Sequence, residues 1–384
     1  MKELRFHGKV IVTGSGSIQY LQTIDCKRVF FVIGGNSVFI NGTYGNVKAI
    51  LEEKGCEVCI FSNVPKDPPI ETVLEGIENM REFQPDTVIG LGGGSVIDAA
   101  KIMALYYDHL DIDISESYNS GIFPQTRRTQ LIAIPTTSGT GSEVTRFSVL
   151  TNRNSDIKMG ARSNGLIADI AILDAELTVS MPRNVVAETG MDALAHAVEC
   201  YTNPNLDDFT EVLAAGAIEG LFKYLPESYI TSSLKSREKV HNYQCIAGSA
   251  FANVGTGMDH GIAHALGGKF NYGHGLLIAI ALPYVLQFNV REVAVRVKVG
   301  YLSQRIGKDL IEGIKELNEV LNIPRSFKDM GLNKADFSEN LDLLVQNALK
   351  GSTRVNPVHV SADDMCYILT SIYEGTDIET TFGK

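Results

Sequence analysis

The chain of 384 residues has no tryptophan and six cysteines, Cys26, Cys56, Cys59, Cys200, Cys245 and Cys366, scattered along its length. That density excludes a disulfide-framed scaffold and fits a reducing cytoplasm. Cys56 and Cys59 have C-x-x-C spacing, but they fall in an apparent strand and no second pair accompanies them, so they read as packing residues. No run of five Lys/Arg occurs, and a formal net charge of −11 opposes a phosphate backbone, which argues against nucleic acid as a partner. The longest apolar run, residues 276–286, contains Pro283 and falls well short of the ~20 residues that span a bilayer. No membrane segment is expected. Lys2, Glu3 and Arg5 stand where a signal peptide needs an apolar stretch, so no secretory signal is expected either.

What is present is an ordinary globular composition, 44% hydrophobic and 21% charged, in a chain long enough for two domains. From Arg28 onward short β-branched runs alternate with amphipathic stretches, the pattern of a parallel sheet flanked by helices. Strands are expected at residues 28–33, 57–61, 87–91 and 131–134, with helices near 46–54, 71–82 and 95–105. Beyond about residue 180 the β-rich runs stop, and residues 190–201, 211–224 and 237–253 carry helical spacing of apolar residues. The expected architecture is an α/β domain over residues 1–180 and an all-α domain over residues 181–384.

Two glycine- or hydroxyl-rich turns follow strands of the first half. Gly92-Gly93-Gly94-Ser95 lies between a strand and a helix, where the backbone can approach a phosphate and the helix N-terminus offers N–H donors. It does not spell G-x-G-x-x-G, and alone it is equally a tight turn. The next strand leads into Thr136, Thr137, Ser138, Thr140 and Ser142, five hydroxyls within seven residues. An N-cap accounts for one or two of them, and two such turns at neighbouring strand ends favour a nucleotide.

In the second half, Asp192 and His196 are four residues apart in a helical stretch, which places both on one face. His260 and His264 repeat that spacing, Gly267 and Gly268 are expected to break their helix, and His274 follows. A lone histidine is more often a structural residue, and His7, His109, His241 and His359 read that way. The clustering of the others, with Asp192, suits a divalent metal such as Fe²⁺ or Zn²⁺, and the lack of a cysteine ligand favours a catalytic over a structural site. Asp259 reads equally as a partner of the ligands or as a helix-face carboxylate.

These segments together resemble the iron-containing, or group III, alcohol dehydrogenases. The likeness rests on the motif from Gly92 to Lys101, the motif from Pro135 to Thr145, Gly190-Met191-Asp192-Ala193-Leu194-Ala195-His196-Ala197-Val198-Glu199, and the spacing of His260, His264 and His274. The resemblance implies a Rossmann-like dinucleotide-binding domain followed by a helical metal-binding domain. It places Gly93, Gly94, Ser95 and Asp98 near the pyrophosphate and nicotinamide, with Thr136, Thr137, Thr140 and Ser142 in the same cleft and Lys158 and Leu177 as further contacts. It assigns the metal to Asp192, His196, His260 and His274, and leaves His264 for proton relay. Homodimerisation is implied by family habit.

Two departures carry information. Family members that prefer NAD tend to have an aspartate after the first strand, whereas this chain has Gly34-Gly35-Asn36-Ser37. That turn resembles the butanol-dehydrogenase-like branch and implies NADP(H) over NAD(H). Near the carboxyl terminus Asn356-Pro357-Val358 stands where many members have Asn-Pro-Arg. The expected reaction is reversible hydride transfer between nicotinamide and a small aldehyde. Alternatives on related folds are a glycerol or polyol dehydrogenase, which usually lacks the three-histidine spacing, and a dehydroquinate-synthase-like lyase, which needs a basic pocket where only Lys269 stands near the ligands.

Overall fold

The computed structural model describes residues 3–152 and 157–379, and the chain divides into two compact units, Met1–Met181 and Pro182–Lys384. The strands of the first unit are β1 (Val10–Thr13), β2 (Arg28–Ile33), β3 (Glu57–Phe61), β4 (Thr87–Gly92), β5 (Gln130–Pro135), β6 (Phe147–Asn152), β7 (Ile157–Arg162) and β8 (Ile170–Leu173). Six of them form one sheet in the order β1-β8-β5-β4-β2-β3, parallel at every pairing. β6 and β7 form a separate antiparallel pair.

Continuous apolar strands are what a sheet covered on both faces requires. In β2, Phe30 and Val32 point into one core, where they meet Val73, Ile77 and Met80 of the helix Ile70–Phe83 and Ile97 and Ala100 of the helix Gly94–Tyr107. Val29, Phe31 and Ile33 point to the other, against Val47, Ile50 and Leu51 of the helix Thr43–Glu53. The period-2 alternation of side chains therefore feeds two separate cores.

The topology also locates a crevice. From β2 the chain moves outward to β3, then returns to β4 on the opposite side of β2. The carboxyl ends of β2 and β4 are thus neighbours at the point where the winding reverses, the place where open α/β sheets bind ligands.

The second unit is helical among its described residues. Its helix Arg183–Thr202 packs against Asp208–Thr231, Leu234–Val254 and His274–Asn289. Nearly every residue from Gly190 to Thr202 is buried, as expected of a helix surrounded by others. The expected break at Gly267 and Gly268 does not occur, because the helix runs Met258–Phe270 and ends where Asn271 turns left-handed at φ 57°. Each helical glycine costs about 1 kcal/mol relative to alanine, and packing against His274–Asn289 and Lys334–Ala348 outweighs that cost. No helix among the described residues is long and apolar enough to cross a membrane.

Candidate active site

In the first unit, Gly34, Gly35, Asn36 and Ser37 leave the end of β2. A Cβ on Gly34 would lie 2.6 Å from the Val64 carbonyl oxygen, so that position excludes any side chain. Gly35 has φ 63°, and Asn36 precedes the short helix Ser37–Ile40. At the end of β4, Gly93 caps the helix Gly94–Tyr107 without offering a side chain, leaving the first turn open to a ligand oxygen. The hydroxyl loop after β5 packs directly on this turn. The Thr136 N–H donates to the Gly92 carbonyl at 3.0 Å, and a Cβ on Gly94 would sit 2.5 Å from Thr140 Cγ2.

The expected cofactor contacts divide into two sets. Gly93, Gly94, Ser95, Thr137 and Thr140 are only partly buried and border the two turns, with Thr136 buried among them. Asp98 and Ser142 are engaged with one another instead. The Ser142 hydroxyl donates to one Asp98 oxygen and the Val149 N–H to the other at 2.8 Å, tying the helix to its loop and to β6. Burial pushes the Asp98 carboxyl up, against the downward pull of Lys101 and those two bonds. Lys158 on β7 reaches Asp67 at 2.8 Å, and the Asp67 N–H donates to the Ser95 hydroxyl at 3.3 Å, so a cation is linked to the glycine turn. Leu177 sits in the core with Val29 and Ile172. Lys101, buried and donating to the Thr145 carbonyl, Thr145 hydroxyl and Phe147 carbonyl, anchors the far end of the hydroxyl loop.

In the second unit, three helices bring the acid and the histidines together. Asp192 and His196 lie one turn apart on Arg183–Thr202, His260 and His264 one turn apart on Met258–Phe270, and His274 opens His274–Asn289. Asp192 Oδ1 is 3.6 Å from His260 Nε2, 3.7 Å from His274 Nε2 and 3.9 Å from His196 Nδ1. Donor atoms of Asp192, His260 and His274 all lie within 4.8 Å of one another. The rings are close as well, His196 to His260 at 4.4 Å and His264 to His274 at 5.1 Å and nearly parallel. Phe251 stacks on His196 at 4.1 Å, which fixes that imidazole from behind.

These residues fit a divalent cation. Asp192 Oδ1 and His260 Nε2 are buried with no hydrogen-bond partner, an arrangement that costs free energy until a third group joins them. A carboxylate with imidazoles suits Fe²⁺ or Zn²⁺. Burial pushes the Asp192 carboxyl up, but His196, His260 and His274 together override it and hold it below the usual range. Burial works against a charged His260, yet Glu199 and Asp192 raise it to about 10. Asp259 is buried and raised, by desolvation first and by Glu199 second.

Glu199 and Asn356 join this site without having stood out as candidates. Glu199 accepts from Gly257 N–H, Asp259 N–H and His260 Nδ1, and Asn356 accepts from Met258 N–H at 3.3 Å while pairing with Asn289. The available signal was spacing, since Asp192, His196 and Glu199 fall at i, i+4 and i+7 on one helix face. Asn356 belongs to the Asn-Pro-Val segment, and no local pattern marks its reach to residue 258.

A parallel sheet with glycine turns at its switch point in one unit, and a carboxylate-imidazole cluster in the other, are together the features of a metal-dependent oxidoreductase that uses a dinucleotide. Residues 9–175 match the family described as iron-containing alcohol dehydrogenase, and residues 186–373 match the C-terminal part of the Fe-containing alcohol dehydrogenase family. The chain belongs to the iron-containing alcohol dehydrogenase family and is an NAD(P)-dependent oxidoreductase of alcohols and aldehydes. It is 37% identical to an NADPH-dependent butanol dehydrogenase of Clostridium saccharobutylicum, over 96% of this chain and 97% of that one. It is 35% identical to an aldehyde-alcohol dehydrogenase of Streptococcus pneumoniae over 94% of this chain, spanning 44% of that protein. Among solved structures, the iron-containing alcohol dehydrogenase of Thermococcus thioreducens superposes with a TM-score of 0.90 at 31% identity, over 98% of this chain and 100% of that one.

Proposed function

We propose that the protein reversibly reduces a small aldehyde with NADPH, at Fe²⁺ held by Asp192, His196, His260 and His274. The observation that carries this reading is the convergence of donor atoms from buried Asp192 and His260 and half-buried His274 within 4.8 Å of one another. When bound, the metal supplies a Lewis acid that polarises the carbonyl, and NADPH supplies the hydride. The chain's own residues bind and orient. The turns at Gly34, Gly35, Asn36 and Ser37, at Gly93, Gly94 and Ser95, and at Thr136, Thr137 and Thr140 receive the dinucleotide, with Lys158 acting through its ion pair with Asp67, whose N–H donates to the Ser95 hydroxyl. Asp98 and Ser142 hold the two turns together, and Leu177 backs them from the core. His264, half-buried and stacked on His274, relays the proton to the product oxygen.

Four observations support the finer assignments. The β2 turn offers no carboxylate to repel a 2′-phosphate, and a relative that is 37% identical is NADPH-dependent by name. A net charge of −11 and the lack of a membrane-length helix among the described residues support a cytoplasmic enzyme without nucleic-acid or membrane partners, working as a homodimer by family habit. The test is oxidation of NADPH and of NADH against a panel of small aldehydes, with metal-stripped protein reloaded with Fe²⁺, Zn²⁺ or nothing. Metal-dependent turnover with a higher kcat/KM for NADPH and the best rate with Fe²⁺ is expected. A higher kcat/KM with NADH overturns the cofactor assignment, and no turnover with either metal overturns the aldehyde assignment.

A further inference from the structure

We propose that Glu199 is a positioning residue that fixes, with one carboxylate, both the metal-facing nitrogen of His260 and the first turn of the helix bearing His260 and His264. The inference rests on His260 being a metal ligand. The helix Met258–Phe270 begins at Gly257, which has no side chain to cap it, although the first N–H groups of any helix need outside acceptors. They find them on a different helix. Glu199 Oε2 accepts from Gly257 N–H at 2.8 Å and Oε1 from Asp259 N–H at 2.7 Å, while Asn356 takes the Met258 N–H between them. Glycine at 257 permits this approach, because a Cβ there would stand 2.8 Å from Glu199 Oε1.

The same carboxylate orients the ring. Glu199 Oε2 lies 2.6 Å from His260 Nδ1. An ionised carboxylate only accepts, so Nδ1 carries a proton and donates it, and Nε2 is the nitrogen left to face Asp192 Oδ1 at 3.6 Å. Glu199 is 5% exposed and its two oxygens serve three N–H donors. Glutamine cannot reproduce this. One end of its amide is itself a donor, so either Asp259 N–H or the pair Gly257 N–H and His260 Nδ1–H loses its acceptor. Leucine removes every acceptor, and Asp192 on the Nε2 side then becomes the only nearby carboxylate among these two to hold the ring proton, at the atom a cation needs.

The experiment measures two quantities on wild type, E199L, E199Q and an H260A control: the Zn²⁺ dissociation constant by chelator competition, and the imidazole N–H resonances of Zn²⁺-loaded, 15N-histidine-labelled protein. Wild type is expected to show a far-downfield His260 Nδ1–H resonance. E199L should lose it and bind Zn²⁺ about 10 to 100 times more weakly, with E199Q in between. Zn²⁺ affinity within twofold of wild type in E199L and E199Q overturns the inference, as does weaker binding with the resonance unchanged. Should E199L not fold, the same two readouts on E199Q decide. H260A separates the two readings: undiminished affinity there sinks the ligand assignment itself, whereas weakened H260A beside unaffected Glu199 variants sinks only the positioning role.

Discussion

His241 is fully buried in the helix Leu234–Val254, and burial pushes its imidazole down to about 4. The folded protein therefore holds it neutral, while the unfolded chain takes up a proton near pH 6.5. Its contribution is complete above pH 6.5 and is lost as pH falls toward 4, at a rate that amounts to about 2 kcal/mol between pH 6.5 and 5. Denaturant unfolding of metal-free protein across that interval should show this slope, and H241Q should flatten it; equal slopes would dismiss the residue as the source. His241 was legible in sequence only as a histidine outside the clusters, because nothing in its neighbours states that it is dry. Asp192, His196, His260 and His264 were legible through their i, i+4 spacing, which is local. Glu199 was not, since its acceptors' partners lie 58 to 61 residues away on another helix and the pairing exists only once both helices pack.

At the scale of elements, the fold was read most easily where a strand is buried on both faces. β2, β4 and β5 carry continuous apolar runs and met expectation within a residue or so. β1 and β8 are four residues each, too short to display a period, and the antiparallel β6 and β7 interrupt the strand-helix alternation that identified the rest. The turn between β4 and its helix is an element to which the proposed function assigns the dinucleotide. Adding a methyl group at Gly94 forces it to within 2.5 Å of Thr140 Cγ2, on a β-branched side chain with little freedom to swing away. Overpacking of this kind costs about 1 to 3 kcal/mol, and it falls where the glycine turn meets the hydroxyl loop, the two segments proposed to receive the dinucleotide. G94A is expected to raise the NADPH dissociation constant about tenfold or more, while Zn²⁺ affinity stays at the wild-type value. A calorimetric titration checks the first and chelator competition the second. Unchanged NADPH affinity would remove this turn from the cofactor site.

Across the whole molecule, the two kinds of ligand are assigned to separate compact units, and each should therefore stabilise its own. The proposed metal ligands come from Arg183–Thr202, Met258–Phe270 and His274–Asn289, so a cation ties together three helices that lie far apart in sequence. A metal present at 100 times its dissociation constant stabilises the state that binds it by about 2.7 kcal/mol. Local opening of those helices should accelerate by up to about 100-fold once the metal is withdrawn. Hydrogen-exchange mass spectrometry with and without chelator should place that acceleration in these three helices and leave β2, β4 and β5 at their former rates. Adding NADPH to the metal-free protein should protect residues 34–37, 92–95 and 136–142 and leave the three helices exchanging fast. Chelation that loosens the sheet as much as the helices would contradict the assignment of the metal to the second unit. Protection by NADPH confined to the helices would contradict the assignment of the dinucleotide to the switch point between β2 and β4.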